Sequence, residues 1–278
     1  MPIDDARAAN LANWEDRVAV HVGPDGYDLA AFDDPTHLTD VVRFDLARLG
    51  DIHGLDVVHL QCHIGTDTLS LARLEARSVT GYDFSPKALV EARRLAERAG
   101  GNASFVEGEL EDAVEVLGPN RFDLVYTGVG ALCWLPSVAR WAAVVAALLR
   151  PGGRLHLREG HPMLWALADP RPDGVVAVEY PYFETVEGTV FHEPSTYAGD
   201  GTELAHPTIW SWNHGIGEIM AAVTGAGMVI TGFDEHMTVP WNPLGDQMEA
   251  VPPFGEFQLV DRPERLACSY TLQALKPA

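Results

Sequence analysis

Between residues 55 and 160, short apolar runs alternate with segments whose apolar positions recur every three or four residues. The runs "LDVVHLQ" (55–61), "RSVTGYD" (77–83), "ASFVEG" (103–108), "RFDLVYTG" (121–128) and "RLHLRE" (154–159) read as strands. A helix over about 66–76 follows the first. The second runs into Ser85-Pro86, an N-cap and a first-turn proline, and then a helix with Ala88, Ala92, Leu95 and Ala99 on one face. A short acidic helix follows the third strand. Val138, Trp141, Ala142, Val145, Leu148 and Leu149 form the stripe of a core-facing helix, which the Arg150-Pro151-Gly152-Gly153 cluster ends. Strand and helix in strict alternation predict a parallel sheet flanked by helices.

After residue 160 the rhythm changes. Residues 161–209 are rich in Pro, Gly, Tyr and Phe, with strand-like pieces at "VVAVEYPYF" and "GTVFHEP". They read as an insertion that caps the sheet, too small to hold a core of its own. A helix at about 214–225 and strands "MVITGFDE" (228–235) and "ACSYTLQAL" (267–275) close the chain. Residues 1–50 read as a helical flap, and 51–278 as one domain carrying the cap.

The composition narrows the partners. Acidic residues outnumber basic ones 40 to 19, for a net charge of −21, and no basic run occurs. Nucleic acid and anionic membranes, which are bound through Lys and Arg, are therefore poor partners, and a small molecule is favoured. No apolar run nears the ~20 residues of a membrane span. The N-terminus "MPIDDARAANLANWEDR" has no signal-like apolar core, and Cys62, Cys133 and Cys268 are too scattered for a disulfide framework. A cytoplasmic protein is expected, with no metal site and with a homo-oligomer left open.

The segment "VVHLQCHIGTDTLSLA" (57–72) is a strand, a tight turn and a helix. Ligands of open α/β sheets bind beyond the carboxyl ends of the strands, where this turn lies. Gly65 permits close backbone approach. Asp83, eighteen residues further on at the end of strand two, is placed to accept the hydroxyls of a ribose. A dinucleotide fingerprint would need G-x-G-x-x-G, and only Gly65 is present.

On these residues the chain resembles the class I S-adenosylmethionine-dependent methyltransferases over about 55–160 and the last two strands. "VVHLQCHIG" lies on their first motif with Gly65 as its final glycine. His59 stands at the usual acid, and Gln61 and His63 replace the first two glycines. It is similar to a bacterial small-molecule subgroup with an "LQCHxGxDTLS" loop, an "NWxxRxxxH" N-terminus (Asn13 to His21) and "GALCWLP" (130–136). The resemblance implies a Rossmann-like methyltransferase fold: a mostly parallel seven-stranded sheet with an antiparallel last strand, an N-terminal flap and a cap after strand five. It also implies S-adenosylmethionine as cofactor and S-adenosylhomocysteine as product. Asp83 would bind the ribose, Phe84 would pack on adenine, and Glu109 and Leu110 would meet the adenine amino group and ring. Thr127 and Gly128 would lie near the methionine portion. With His59 in place of the acid, Gln61 or backbone carbonyls would accept from the cofactor's ammonium. His63 would shape the loop.

Methyl transfer needs alignment, exclusion of water and sometimes a base. Glu159 and His161 follow strand five, Trp210, Trp212 and His214 precede the penultimate helix, and Glu235 and His236 end the penultimate strand. His161 is the first choice as base, with Glu159 and His214 next. Tyr27 and His21, with Trp14 and Arg17, could close over the cofactor or simply pack. Tyr180, Tyr182 and Phe183 could line an aromatic substrate pocket or form the cap's own core. The expected activity is methyl transfer to an O, N or C atom of a small aromatic or apolar molecule, with secondary metabolism as one setting. The alternative keeps the cofactor as a structural group while the cap catalyses a cyclisation or rearrangement.

Overall fold

The computed structural model describes residues 3–278. Seven strands form the central sheet: β1 (Asp56–Leu60), β2 (Ser78–Asp83), β3 (Ala103–Glu107), β4 (Phe122–Thr127), β5 (Leu149–Gly160), β8 (Val229–His236) and β11 (Ser269–Leu275). Their order is β3-β2-β1-β4-β5-β11-β8, parallel except for β11, which runs antiparallel to both neighbours. This is the sheet expected from the sequence. The order reverses between β1 and β4, so the loops after these two strands flank one crevice.

Helices α2 (Asp40–Leu49), α3 (Thr66–Ala72) and α4 (Pro86–Ala99) cover one face, and α5 (Ala113–Leu117), α6 (Val138–Leu148) and α8 (Ile216–Gly225) the other. The α6 stripe is buried as its periodicity requires: Trp141, Ala142, Val145 and Leu148 are fully enclosed with Val58, Leu60, Val125 and Leu272. Each large apolar side chain so enclosed contributes roughly 1.5–3 kcal/mol. Ser85 caps α4 by accepting from the Ala88 N–H at 3.1 Å, with Pro86 in the first turn.

Three segments differ from the pattern. Strand five begins at Leu149 rather than 154, because the Pro-Gly-Gly segment, with Gly152 at φ 79°, is absorbed as a bulge that shifts the register against β4. The "VVAVEYPYF" piece is no strand: only Val178 bridges, to Leu167, since no free sheet edge lies beside it and Pro181 has no N–H to donate. Residues 237–266, which show no clear periodicity, hold a second excursion with the hairpin β9 (Met248–Val251) and β10 (Glu256–Leu259). It builds a small core from Leu164, Val239, Leu244, Met248, Leu259 and Cys268. Strands of four residues leave too short a pattern to read.

The cap's hairpin, β6 (Thr189–His192) and β7 (Thr208–Ser211), docks on α1 (Ile3–His21). Asn10 receives the Trp210 N–H at 2.8 Å and donates to its carbonyl at 2.9 Å, imitating a strand neighbour. Short α7 (Pro162–Trp165) follows β5. Of the first fifty residues, α1 lies across the strand ends, whereas α2 belongs to the helical layer through Val42 and Leu49. No helix among the described residues is long and apolar enough to cross a membrane.

Arg158 on β5 is fully buried and donates to Glu256 of β10 at 2.8 Å, which ties the second excursion to the sheet. Glu256→Ala should leave that guanidinium unpaired and cost about 3–5 kcal/mol in urea denaturation, whereas the pair Arg158→Met with Glu256→Leu should recover most of it.

Candidate functional site

The turn after β1 keeps a glycine-type backbone without the glycines. Gln61 and His63 have φ of 56° and 51°, and Gly65 has 77°. A left-handed backbone costs a residue with a side chain roughly 1–2 kcal/mol, so neighbours must hold it there. They do. Asp83 accepts the His63 N–H at 2.8 Å through one carboxylate oxygen and the Ser85 N–H at 2.9 Å through the other. Gln61 donates to the Ala131 carbonyl at 2.9 Å and so joins the loops after β1 and β4. Gly65 serves packing: a Cβ there would lie 2.6 Å from the Phe105 ring and 3.0 Å from Ala92. The expected open approach at Gly65 is thus taken by protein.

Burial pushes the Asp83 carboxyl up to about 6 against the N–H bonds that favour its charge. Each of its oxygens keeps a second lone pair for an incoming hydroxyl. Phe84 is half-buried beside it, and Glu109 and buried Leu110 stand beyond β3. The Glu109 carboxyl is also raised by burial, and its backbone carbonyl accepts the Tyr82 hydroxyl at 2.8 Å. Gln61 Oε1, His63 Nε2 and Thr127 Oγ1 are buried without a hydrogen-bond partner. Unpaired buried polar atoms are costly and rare in folded proteins. Gln61 follows β1 and Thr127 ends β4, the two strands that flank the crevice.

The N-terminal flap closes over this turn. The His63 ring meets Trp14 at 4.9 Å, His21 at 5.0 Å and Tyr27 at 6.1 Å between centroids. His21 Nε2 pairs with Thr196 at 2.8 Å, and the Tyr27 and Tyr197 hydroxyls with each other at 2.5 Å. Arg17 is buried, bonded to Asn13 at 2.6 Å and Glu193 at 2.5 Å, beneath the Trp14 and Trp134 rings. Helix α1 and the cap hairpin are thus latched together across the strand ends. Thr196 and Tyr197 complete the latch from an irregular loop that carries no sequence signal.

The three candidate bases are all engaged. Glu159 accepts four backbone N–H groups: Gly130 and Gly160 on one oxygen at 2.6 and 2.7 Å, Ala131 and Leu132 on the other at 2.8 and 2.7 Å. Burial pushes its carboxyl up to about 7, and these four donors oppose the shift. His161 caps α7 by accepting from Met163 at 3.0 Å, and its Nε2 meets Glu235 at 3.1 Å. Burial lowers its pKa and Glu235 works the other way. His214 Nδ1 faces Glu184 at 2.9 Å, and its Nε2 faces the Leu132 and Leu135 carbonyls at 3.1 and 2.9 Å. The Glu159 oxygens and His161 Nδ1 already accept, and both ring nitrogens of His214 face fixed oxygen atoms, so all three hold the "GALCWLP" loop or the end of β5. Glu159 and His214 border a cavity of about 10 Å³ with Trp165, Trp212 and Tyr270, space for about one water. Tyr180, Tyr182 and Phe183 stand outside this lining. Phe183 is exposed, and Tyr180 packs on Phe191.

Residues 58–155 match the methyltransferase domain family. Methyltransferase phqN of Penicillium fellutanum is 27% identical over 115 residues, 40% of this chain and 34% of that protein. Demethylmenaquinone methyltransferase of Lactococcus lactis is 33% identical over 123 residues, 43% of this chain and 48% of that protein. The chain thus matches less than half the length of either relative. An S-adenosylmethionine dependent methyltransferase from Mesorhizobium loti superposes with a TM-score of 0.56 at 23% identity, over 82% of this chain and 94% of that one. Residues 58–155 are thus similar to a methyltransferase domain, and the chain has the fold of the S-adenosylmethionine-dependent methyltransferases.

Proposed function

We propose that the protein is an S-adenosylmethionine-dependent methyltransferase of a small aromatic or apolar acceptor, consistent with a cytoplasmic enzyme that takes no nucleic acid. One observation carries this: the Asp83 carboxylate with free lone pairs, beside a strained turn and three unpaired buried polar atoms, at the reversal point of the sheet. Asp83 would receive the ribose diol, with Phe84, Glu109 and Leu110 around the adenine and Gln61, His63 and Thr127 toward the methionine portion. When bound, the cofactor supplies an electrophilic methyl group. The acceptor would sit beyond β5, under the cap, where Trp165 and Trp212 exclude water.

With Glu159, His161 and His214 engaged in the scaffold, this chain's residues contribute chiefly by alignment, which is worth up to roughly 7–11 kcal/mol in ideal cases. Tyr27, Trp14 and His21 would hold the closed state. Formation of S-adenosylhomocysteine together with a methylated product separates this reading from a cyclase that keeps the cofactor as a structural group.

Titration calorimetry with S-adenosylhomocysteine should give micromolar binding that Asp83→Ala abolishes, with NAD not bound; a folded wild type that binds neither S-adenosyl compound would overturn the reading. Because burial holds the Asp83 carboxyl at about 6, the full acceptor exists only above that pH. Affinity for 5′-methylthioadenosine should therefore rise roughly tenfold from pH 5 to pH 7.5, and Asp83→Asn should flatten the profile. His161→Asn keeps a good helix cap and should hold turnover within about tenfold, since losing a true base costs roughly 10²–10⁴. A larger loss, with one limb of the pH–rate profile gone, would restore His161 as the base.

A further inference from the structure

The first turn of α3 carries a carboxylate, Asp67, that forms no ion pair among the described residues. Its Oδ1 accepts the Thr39 hydroxyl at 2.6 Å. Its Oδ2 points to the end of β4, where it lies 3.8 Å from the position a Cβ would occupy at Gly128. The same position is 3.4 Å from His59 Nε2 and 3.6 Å from the Tyr126 ring. Gly128 therefore leaves a cradle lined by a carboxylate oxygen and an imidazole nitrogen.

The chemistry of this cradle is one-sided. His59 is 4% exposed, and its Nδ1 is bonded to Thr68 Oγ1 at 2.9 Å. Burial lowers its pKa to about 3, so the ring is neutral. With the hydrogen on Nδ1, Nε2 presents a lone pair to the cradle. Tyr126 does not compete for Asp67, because its hydroxyl is donated to Asp45 at 2.6 Å. Burial pushes the Asp67 carboxyl up to about 6; Asp45 adds to the shift, and the Thr39 hydroxyl and Arg158 oppose it. Arg158, the nearby buried cation, is bonded to Glu256 and forms no ion pair with Asp67. Two acceptors without an ion-pair partner describe a seat for a positively charged N–H donor.

We propose that Asp67, with His59 Nε2 as second acceptor, seats the α-ammonium group of the cofactor. This rests on the S-adenosylmethionine reading. The carboxylate missing from position 59 is then supplied by Asp67, eight residues later in the chain and on the other wall of the same cradle. Gln61, the acceptor expected from the sequence, has its amide nitrogen committed to the Ala131 carbonyl and carries no charge to match the ammonium.

Three ligands in titration calorimetry test it: S-adenosylhomocysteine, its analogue with hydrogen in place of the amino group, and 5′-methylthioadenosine, which lacks the amino acid altogether. Asp67→Asn keeps an oxygen for the Thr39 hydroxyl and should fold. It should bind S-adenosylhomocysteine roughly 10–100-fold more weakly than wild type, the range for a charge-assisted bond. Binding of 5′-methylthioadenosine should stay within about twofold, and the deamino analogue should bind both proteins alike. The wild type alone should prefer S-adenosylhomocysteine to its deamino analogue by the same factor, which requires no variant to fold. Unchanged S-adenosylhomocysteine binding in Asp67→Asn, or equal loss of 5′-methylthioadenosine, would overturn the assignment. So would weakened S-adenosylmethionine with unaffected S-adenosylhomocysteine, which would seat the sulfonium there instead. Wild type that binds 5′-methylthioadenosine but ignores the amino group would sink Asp67 alone, whereas wild type that binds no adenosyl compound would sink the cofactor reading with it.

Discussion

The Asp83 carboxylate holds the ligand-facing edge of the sheet together. It takes the His63 N–H from the turn after β1 and the Ser85 N–H at the head of α4, so one side chain sets the spacing of two loops. The left-handed backbones at Gln61 and His63 persist because this anchor and the Gln61–Ala131 bond pull the turn from both ends. Burial holds the group at the border of ionisation, where a ligand's hydroxyls can tip it to the charged form.

Glu159 plays the matching part on the acceptor side. A carboxylate that receives four backbone N–H groups cannot readily leave them, and the loop from Gly130 to Leu132 is folded around it. His214 grips the same loop from α8's side through the Leu132 and Leu135 carbonyls. Rigid placement of this wall, with the α1–hairpin latch above it, fits a reaction whose main demand is alignment in a dry site.

Polar groups are unevenly shared between the faces of the sheet. The α5–α6–α8 face is almost wholly apolar. The opposite face carries His59, Tyr126, His156 and Arg158, with Asp45 and Asp67 reaching in from α2 and α3. Such a column costs desolvation energy that an apolar core would not. Its end nearest the strand termini opens on Gly128, with Asp67 and His59 facing that position.

Much of this was legible in the chain. Alternating strand and helix periods determined the parallel sheet flanked by helices, because burying a stripe every 3.6 residues against a run buried on both faces admits few architectures; the strand order came only with the structure. Asp83 could be placed from its distance to Gly65 and the strand that ends there. The roles of Glu159, His161 and His214 could not be read, since a residue type shows that a group can titrate but not which donors already occupy it. Asp67 was invisible for a related reason. Its neighbours in the cradle, His59 and Gly128, come from other elements, and only the packing of α3 across β1 and β4 brings the three to one point. Local periodicity decides what the chain builds. Long-range juxtaposition decides which lone pairs remain for a ligand, and only the tertiary structure determines that.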